Sequence, residues 1–250
     1  MKLDRVIAVR NTKTVYRDGG RCIKVFARSH AKSEVFDEAL AMTRVEEAGI
    51  NAPRVLEVSS AEGKWAIVYE YIEGDSMARL MEKDADKIPG YMEWFADIHL
   101  SLRRHSCPGL RRLGDRLRER ISEARLEAET KAELYLRLEK MPDGDSICHG
   151  DFYPTNIIVP DDGVPYIIDW DSVTLGNIAA DAAWTYLRFM LDGDSAGAEL
   201  YLDLFCRKSG VEAPQVRSWL PIVAGAQTAK AGADRRGRLL RWITPETEGR

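Results

Sequence analysis

Two short segments carry residues that could do chemistry together: His149-Gly150-Asp151-Phe152-Tyr153-Pro154-Thr155-Asn156 and Tyr166-Ile167-Ile168-Asp169-Trp170-Asp171. Each sets polar groups against an apolar run, Ile157-Ile158-Val159 in the first and Tyr166-Ile167-Ile168 in the second. The Asp161-Asp162-Gly163 turn between the runs predicts a hairpin. Asn156 would start one strand and Asp169 would end the other, so both fall at the same end, with Asp151 on the loop just before. Two carboxylates and one amide oxygen would then lie within reach of one point. That set suits phosphoryl transfer. A hard cation takes oxygen ligands, and Mg²⁺ on a nucleotide needs only one or two from the protein. An acceptor hydroxyl needs a carboxylate to orient it and take its proton. Asp151 is the candidate base, and Asn156 and Asp169 are the candidate Mg²⁺ ligands.

The elements that must position these residues fall into two regions. The first seventy residues read as β-rich: Arg5–Arg10, Thr14–Tyr16 and Arg21–Phe26, the last two joined by Asp18-Gly19-Gly20, a strong hairpin signal. Ser33–Ala48 repeats apolar residues at helical spacing and stops at Gly49. Arg54–Val58 and Trp65–Ile72 are two further strands around the Glu62-Gly63-Lys64 turn. After Glu73-Gly74 the pattern becomes helical: Asp75–Glu82, Gly90–His105, a long and heavily charged helical stretch over Gly114–Lys140, and helices from Ala179 to Trp242 broken near Asp192-Gly193-Asp194 and Pro214. The expected fold is α+β and bilobal. A small antiparallel sheet lobe with one helix, residues 1–73, precedes a larger helical lobe, residues 74–250, that carries the catalytic loop and the acceptor site. A lobe boundary is where a ligand cleft is expected.

Composition narrows the class. Hydrophobic residues make up 45% and charged residues 30%, ordinary for a soluble globular protein. The net charge of −4 argues against a general nucleic-acid binder. Cys22, Cys107, Cys148 and Cys206 form no CxxC pair, so neither a zinc knuckle nor a redox motif is supported. No apolar run reaches the roughly 18 residues that span a bilayer. The opening MKLDRVIAVR reads as a strand rather than a signal peptide. The expectation is a cytoplasmic protein without nucleic-acid or membrane partners. The oligomeric state is not legible.

The spacing Asp151, four residues, Asn156 matches the protein-kinase catalytic loop. The pair HGDFYPTN and IIDWDS resembles the signature of the aminoglycoside phosphotransferase and choline-kinase-like family, small-molecule kinases with a protein-kinase-like fold. The likeness runs from about Arg5 to about Leu191. It implies an ATP site, with GTP as the other possible nucleotide, and Mg²⁺. It implies that Lys24, on the third strand, holds the α/β-phosphates, and that Glu38 orients it, with Glu34 one turn earlier as the fallback. Backbone groups near Glu70 and Ile72 would meet adenine. Asn11-Thr12-Lys13-Thr14 would cover the phosphates, although it has no glycine. Asp181 resembles the aspartate that braces the catalytic loop from a helix N-terminus, and His149 would brace that loop rather than carry a proton. The partners implied are a nucleotide and a small-molecule hydroxyl acceptor, such as an aminoglycoside-like compound, an amino-alcohol or a sugar.

Taken singly, each residue has an ordinary explanation. Lys24 could face solvent, Glu38 could be a helix-surface acid, and Asp151 and Asn156 could cap or turn a loop. Together they match in type, order and spacing. His99 reads as a packing or hydrogen-bonding residue, and Trp94, Phe95, Trp184, Tyr186 and Phe189 as core. Asp192, Asp194 and Glu199 would either face a cationic substrate or sit solvated. Asp171 stays open between metal, substrate and supporting contacts. Three rivals stand beside the kinase reading: an inactive nucleotide-binding pseudokinase, a protein-serine kinase, and a metal-dependent hydrolase built on Asp151, Asp169 and Asp171.

Overall fold

The computed structural model of the chain describes residues 5–10 and 12–243. In chain order the strands and helices are β1 (Arg5–Arg10), β2 (Lys13–Asp18), β3 (Arg21–Phe26), α1 (Lys32–Glu47), β4 (Val55–Ala61), β5 (Lys64–Glu70), β6 (Asp75–Ser76), α2 (Met77–Lys83), α3 (Ile88–Ser101), α4 (Leu113–Glu123) and α5 (Ala128–Glu139). They continue with β7 (Ser146–Cys148), β8 (Ile157–Val159), β9 (Tyr166–Ile167), β10 (Thr174–Gly176), α6 (Ile178–Leu191), α7 (Ser195–Ser209), α8 (Ala213–Ser218), α9 (Leu220–Gln227) and α10 (Ala233–Ile243). Contacts group them into two compact units, Met1–Lys83 with Pro154–Asp171, and Asp84–Tyr153 with Ser172–Arg250.

The first unit is built on a five-stranded antiparallel sheet in the order β1-β2-β3-β5-β4. Alternation along β3 sends Ile23 and Val25 to one face, where they pack with Ala66 and Val68. It sends Lys24 and Phe26 to the other face. There Phe26 joins Val35 and Ala39 of α1 and Ile67 of β5. The buried stripe of α1, Val35, Glu38, Ala39, Met42 and Val45, follows helical spacing and includes one acid. The 3₁₀ turn Pro154–Asn156 and the β8–β9 hairpin belong to this unit, with β8 also pairing β6.

The second unit is mainly helical. Its centre is α6, buried along nearly its whole length, with Asp181, Thr185 and Arg188 set among apolar residues. Phe95, Phe152, Phe189, Tyr201 and Phe205 pack as a ring cluster, with centroids 4.7–6.2 Å apart in its contacting pairs. Among the described residues no helix is long and apolar enough to cross a membrane.

One expectation needs refinement. The long helical stretch over Gly114–Lys140 is two helices, α4 and α5. No glycine or proline marks the break; Ala124 is buried in an extended conformation, and Lys131 Nζ caps the Ser122 carbonyl at 2.7 Å. Packing there overrides local helix preference. The antiparallel pair β7–β10 was not legible, because three-residue strands are too short to show alternation.

Candidate functional site

The first unit gathers two lysines and three acids. The turn at Gly19-Gly20 sets Asp18 opposite Arg21, which puts Val15 opposite Lys24 and Lys13 opposite Phe26. Side chains two apart share a face, so Lys13 and Lys24 project on the side that α1 covers. Lys24 Nζ donates to Glu38 Oε1 at 2.5 Å and to Asp169 Oδ1 at 2.9 Å. Lys13 Nζ donates to Glu38 Oε2 at 3.0 Å and to Asp171 Oδ2 at 2.8 Å. Glu38 therefore bridges two ammonium groups. Burial works against the charge on Lys24, but the carboxylates of Asp169, Glu38 and Asp171 outweigh it and hold the ammonium well above its ordinary range. Glu34 is turned away: its carboxylate accepts from the Ala31 N–H at 3.2 Å, at the N-terminus of α1.

The β8–β9 hairpin pairs Ile157 with Ile167, and the Ile168 N–H donates to the Asn156 carbonyl at 2.9 Å. Asn156 and Asp169 therefore sit at the same end of the hairpin. Asp169 has φ +65°, a left-handed conformation that aspartate tolerates better than most residues. Asn156 is buried, whereas the Asp169 side chain stays 36% exposed. An amide and a carboxylate are hard oxygen donors of the kind Mg²⁺ takes. Among the described residues no group of three or more His, Cys, Asp or Glu could hold a metal, and a nucleotide-borne Mg²⁺ needs no such cluster.

Glu70 ends β5, and its N–H donates to the Arg54 carbonyl at 2.9 Å. Its side chain faces Arg54. Ile72 lies in the irregular stretch after β5, half-buried. Of the expected phosphate-covering loop, Asn11 lies outside the described residues, and Lys13 opens β2.

Asp151 belongs to the second unit. Its Oδ1 accepts from Arg188 Nη1 at 2.9 Å and from Trp184 Nε1 at 3.2 Å. Its own N–H donates to His149 Nδ1 at 3.1 Å. Asp181, buried on the first turns of α6, accepts from the His149 N–H at 2.7 Å and the Gly150 N–H at 2.8 Å, and lies 3.1 Å from His99 Nε2. Burial favours its neutral form, but the His99 hydrogen bond, attraction to the His99 and His149 imidazoles and the Gly150 N–H hold its carboxyl below the ordinary range. Gly150 has φ +79°, and a Cβ there would lie 2.6 Å from the Ser172 carbonyl oxygen, so only glycine fits.

Three residues near these groups were not singled out as site residues. Lys13 was legible in principle, because the hairpin register puts it on the face of Lys24. Arg188 stands four residues after Trp184 on α6, a spacing that shares a helix face, but only the fold shows that Asp151 lies against that face. Arg235, on α10, stacks over the Trp184 ring at 5.7 Å and has no local signal.

A five-stranded antiparallel sheet with one helix, whose buried Lys–Glu pair meets an aspartate, followed by a mainly helical unit, is the α+β architecture of protein-kinase-like folds. A profile of the phosphotransferase enzyme family (APH) matches residues 7–220, and the chain belongs to that family. It is a phosphotransferase acting on a hydroxyl group. Solved structures show the same fold. One is a choline/ethanolamine kinase family protein from Mesorhizobium loti, with TM-score 0.67 and 18% identity, covering 98% of this chain and 90% of that one. Another is choline kinase LicA from Streptococcus pneumoniae, with TM-score 0.65 and 16% identity, covering 96% and 94%. A third is aminoglycoside phosphotransferase APH(3'')-Id from Streptomyces rimosus in complex with ADP and streptomycin, with TM-score 0.65 and 19% identity, covering 91% and 93%. The comparison with curated proteins finds no match.

Proposed function

We propose that this protein is an ATP-dependent, cytoplasmic small-molecule kinase that moves the γ-phosphate to a hydroxyl of an aminoglycoside-like compound, an amino-alcohol or a sugar. The observation that carries the reading is the Glu38–Lys24–Asp169 chain of contacts, with Asn156 at the same hairpin end as Asp169. The Streptomyces rimosus structure is a complex with ADP, which supports nucleotide use by this fold.

In this reading Lys24, oriented by Glu38, holds the α/β-phosphates, and Lys13 adds a second ammonium on the same face. Asn156 and Asp169 hold Mg²⁺, which when bound neutralises the triphosphate. With its N–H taken by Arg54, Glu70 would meet adenine through its carbonyl, and Ile72 through its N–H. Asp151 orients the acceptor hydroxyl and takes its proton, its carboxylate set by Arg188 and Trp184. Positioning and charge neutralisation supply most of the rate.

The test is a thermal-shift titration with ATP, GTP and Mg²⁺, together and separately, on wild type, Asp169→Ala and Asp151→Ala. Nucleotide at 100 times its Kd stabilises the fold by about 2.7 kcal/mol. A Mg²⁺-dependent shift is expected in wild type and Asp151→Ala but not in Asp169→Ala, with ADP release lost in Asp151→Ala. Full turnover by Asp151→Ala would overturn its assignment as base. Nucleotide binding without phosphate transfer to any alcohol would instead favour the pseudokinase reading.

A further inference from the structure

The surroundings of Asp151 within the second unit bear on the acceptor's charge. The acids named from the sequence as candidates for a cationic acceptor are engaged. Asp192 pairs with Arg188 at 3.2 Å, and Asp194 caps α7 through the Gly197 N–H at 2.8 Å. Glu199 binds the Tyr186 hydroxyl at 2.7 Å and Arg217 at 2.9 Å. Asp151 itself is paired with Arg188.

The cations are not balanced in the same way. Arg235 is half-buried, stacks on Trp184, and makes no ion pair among the described residues. Trp184 is the residue whose indole N–H holds Asp151. Burial first, and then neighbouring Arg188, push the Arg235 guanidinium below its ordinary range, while Asp192 and Asp151 pull the other way. Trp184 also lines a small recess of about 50 Å³ whose wall includes Arg116, Arg120, Gly150 and Gln227. A half-buried guanidinium over an indole ring keeps N–H groups in the fork geometry that suits an oxyanion.

We propose that Arg235 is an anion-recognition residue beside Asp151, and that the acceptor is an alcohol carrying an oxyanion group, a carboxylate or a phosphate. The inference rests on the kinase reading above and narrows its acceptor. Sugar acids and hydroxy acids fit; polycationic amino sugars do not. Arg188 on α6 is already paired with Asp151 at 2.9 Å, so an anion that reached both Arg235 and Arg188 would bring a neighbouring hydroxyl towards Asp151.

The probes are matched alcohols: glycerate and gluconate as carboxylates, glycerol 3-phosphate as the phosphate arm, glycerol and sorbitol as neutral controls, and choline and kanamycin as cations. Binding is read by calorimetry without nucleotide, and turnover by ADP release with Mg-ATP, on wild type, Arg235→Gln and Arg235→Lys. The expected result is that wild type binds and phosphorylates one anionic arm in preference to its neutral and cationic counterparts. Arg235→Gln should then raise Kd and KM for that arm by about tenfold or more, the scale of a charged hydrogen bond. Arg235→Lys should recover part of the loss, and the neutral alcohols should be affected little. Preference for choline or kanamycin, equal weakening of neutral and anionic alcohols in Arg235→Gln, or no binding of any anionic alcohol would each overturn the proposal. Loss of the wild-type Mg-ATP thermal shift is a separate outcome that sinks the kinase reading, because anion binding is measured without nucleotide.

Discussion

Replacing Lys24 by Met tests the charge chain directly. The side chain is nearly the same length and stays apolar on a strand whose neighbours are core. What is lost is the ammonium that sits 2.5 Å from Glu38 and 2.9 Å from Asp169. Breaking a buried pair by removing one partner costs about 3–5 kcal/mol, because a charge is left uncompensated. Two features pull this case to the low end: Lys13 still holds Glu38 at 3.0 Å, and Asp169 can turn to water. A cost of about 3 kcal/mol lowers Tm by about 6–12 °C in a chain of this size. In the double variant Lys24→Met, Glu38→Leu the stranded acid is gone, and a well-packed apolar pair can be as stable as the ion pair. At least half of the lost Tm should therefore return. Because the Lys24 pKa is raised in the fold, its contribution is full below the ordinary lysine range and is lost only as pH rises through the higher folded value. The gap between wild type and Lys24→Met should thus be flat from about pH 7 to about pH 9. Differential scanning calorimetry of the three proteins across that range is the assay. A Tm loss under about 2 °C, or a double variant less stable than Lys24→Met, would refute the reasoning.

Three further outcomes follow from single contacts. Gly150→Ala puts a Cβ against the Ser172 carbonyl at a left-handed backbone position and should cost at least about 1–3 kcal/mol; an unchanged melting curve would contradict it. Asp181→Asn leaves one of the two amides it binds without an acceptor, for a cost of about 1–3 kcal/mol. Since the Asp181 pKa is depressed, its stabilisation is present above the ordinary aspartate value and lost as pH falls through the folded one. Wild type should therefore lose Tm below about pH 4, and the Asn variant should show a shallower acid slope. Lys13→Met should raise KM for ATP by about tenfold with little change in kcat, if its ammonium meets phosphate; an unchanged KM would remove Lys13 from the site.

The β-rich unit was legible because its strands are short runs rich in β-branched and aromatic residues and its turns carry Asp-Gly or Glu-Gly. Strands β1 and β3 match the expected bounds, and α1 is displaced by a single residue at each end. The hairpin expected at Asn156 and Asp169 forms, although β9 covers only Tyr166–Ile167 and the backbone turns left-handed at Asp169. The Lys24–Glu38 pair could be named only through a family resemblance, since a strand lysine and a helix acid carry no signal of their own. The helical region gave less. Its helices could be counted roughly, but the break at Ala124 and the β7–β10 pair depend on contacts far along the chain. Arg235 depends wholly on such contacts, because α10 meets Trp184 from fifty-one positions away.

One helix organises the loop that carries the proposed base. Asn177 caps α6 by accepting from the Ala179 N–H at 2.9 Å, and its amide donates to the Pro142 carbonyl at 3.2 Å, so the helix start is tied to the chain that enters β7. From that start, Asp181, Trp184 and Arg188 are spaced three and then four residues apart and share one face. Asp181 holds the backbone of the loop at His149 and Gly150, while Trp184 and Arg188 hold the side chain of Asp151. The backbone position and the carboxylate orientation are therefore set by the same rigid element. A rotation of α6 by one residue, about 100°, would move all three contacts together. That dependence explains why an acid is tolerated deep in a buried helix: its cost of burial is met by two amide bonds and an imidazole, and the return is a fixed place for Asp151.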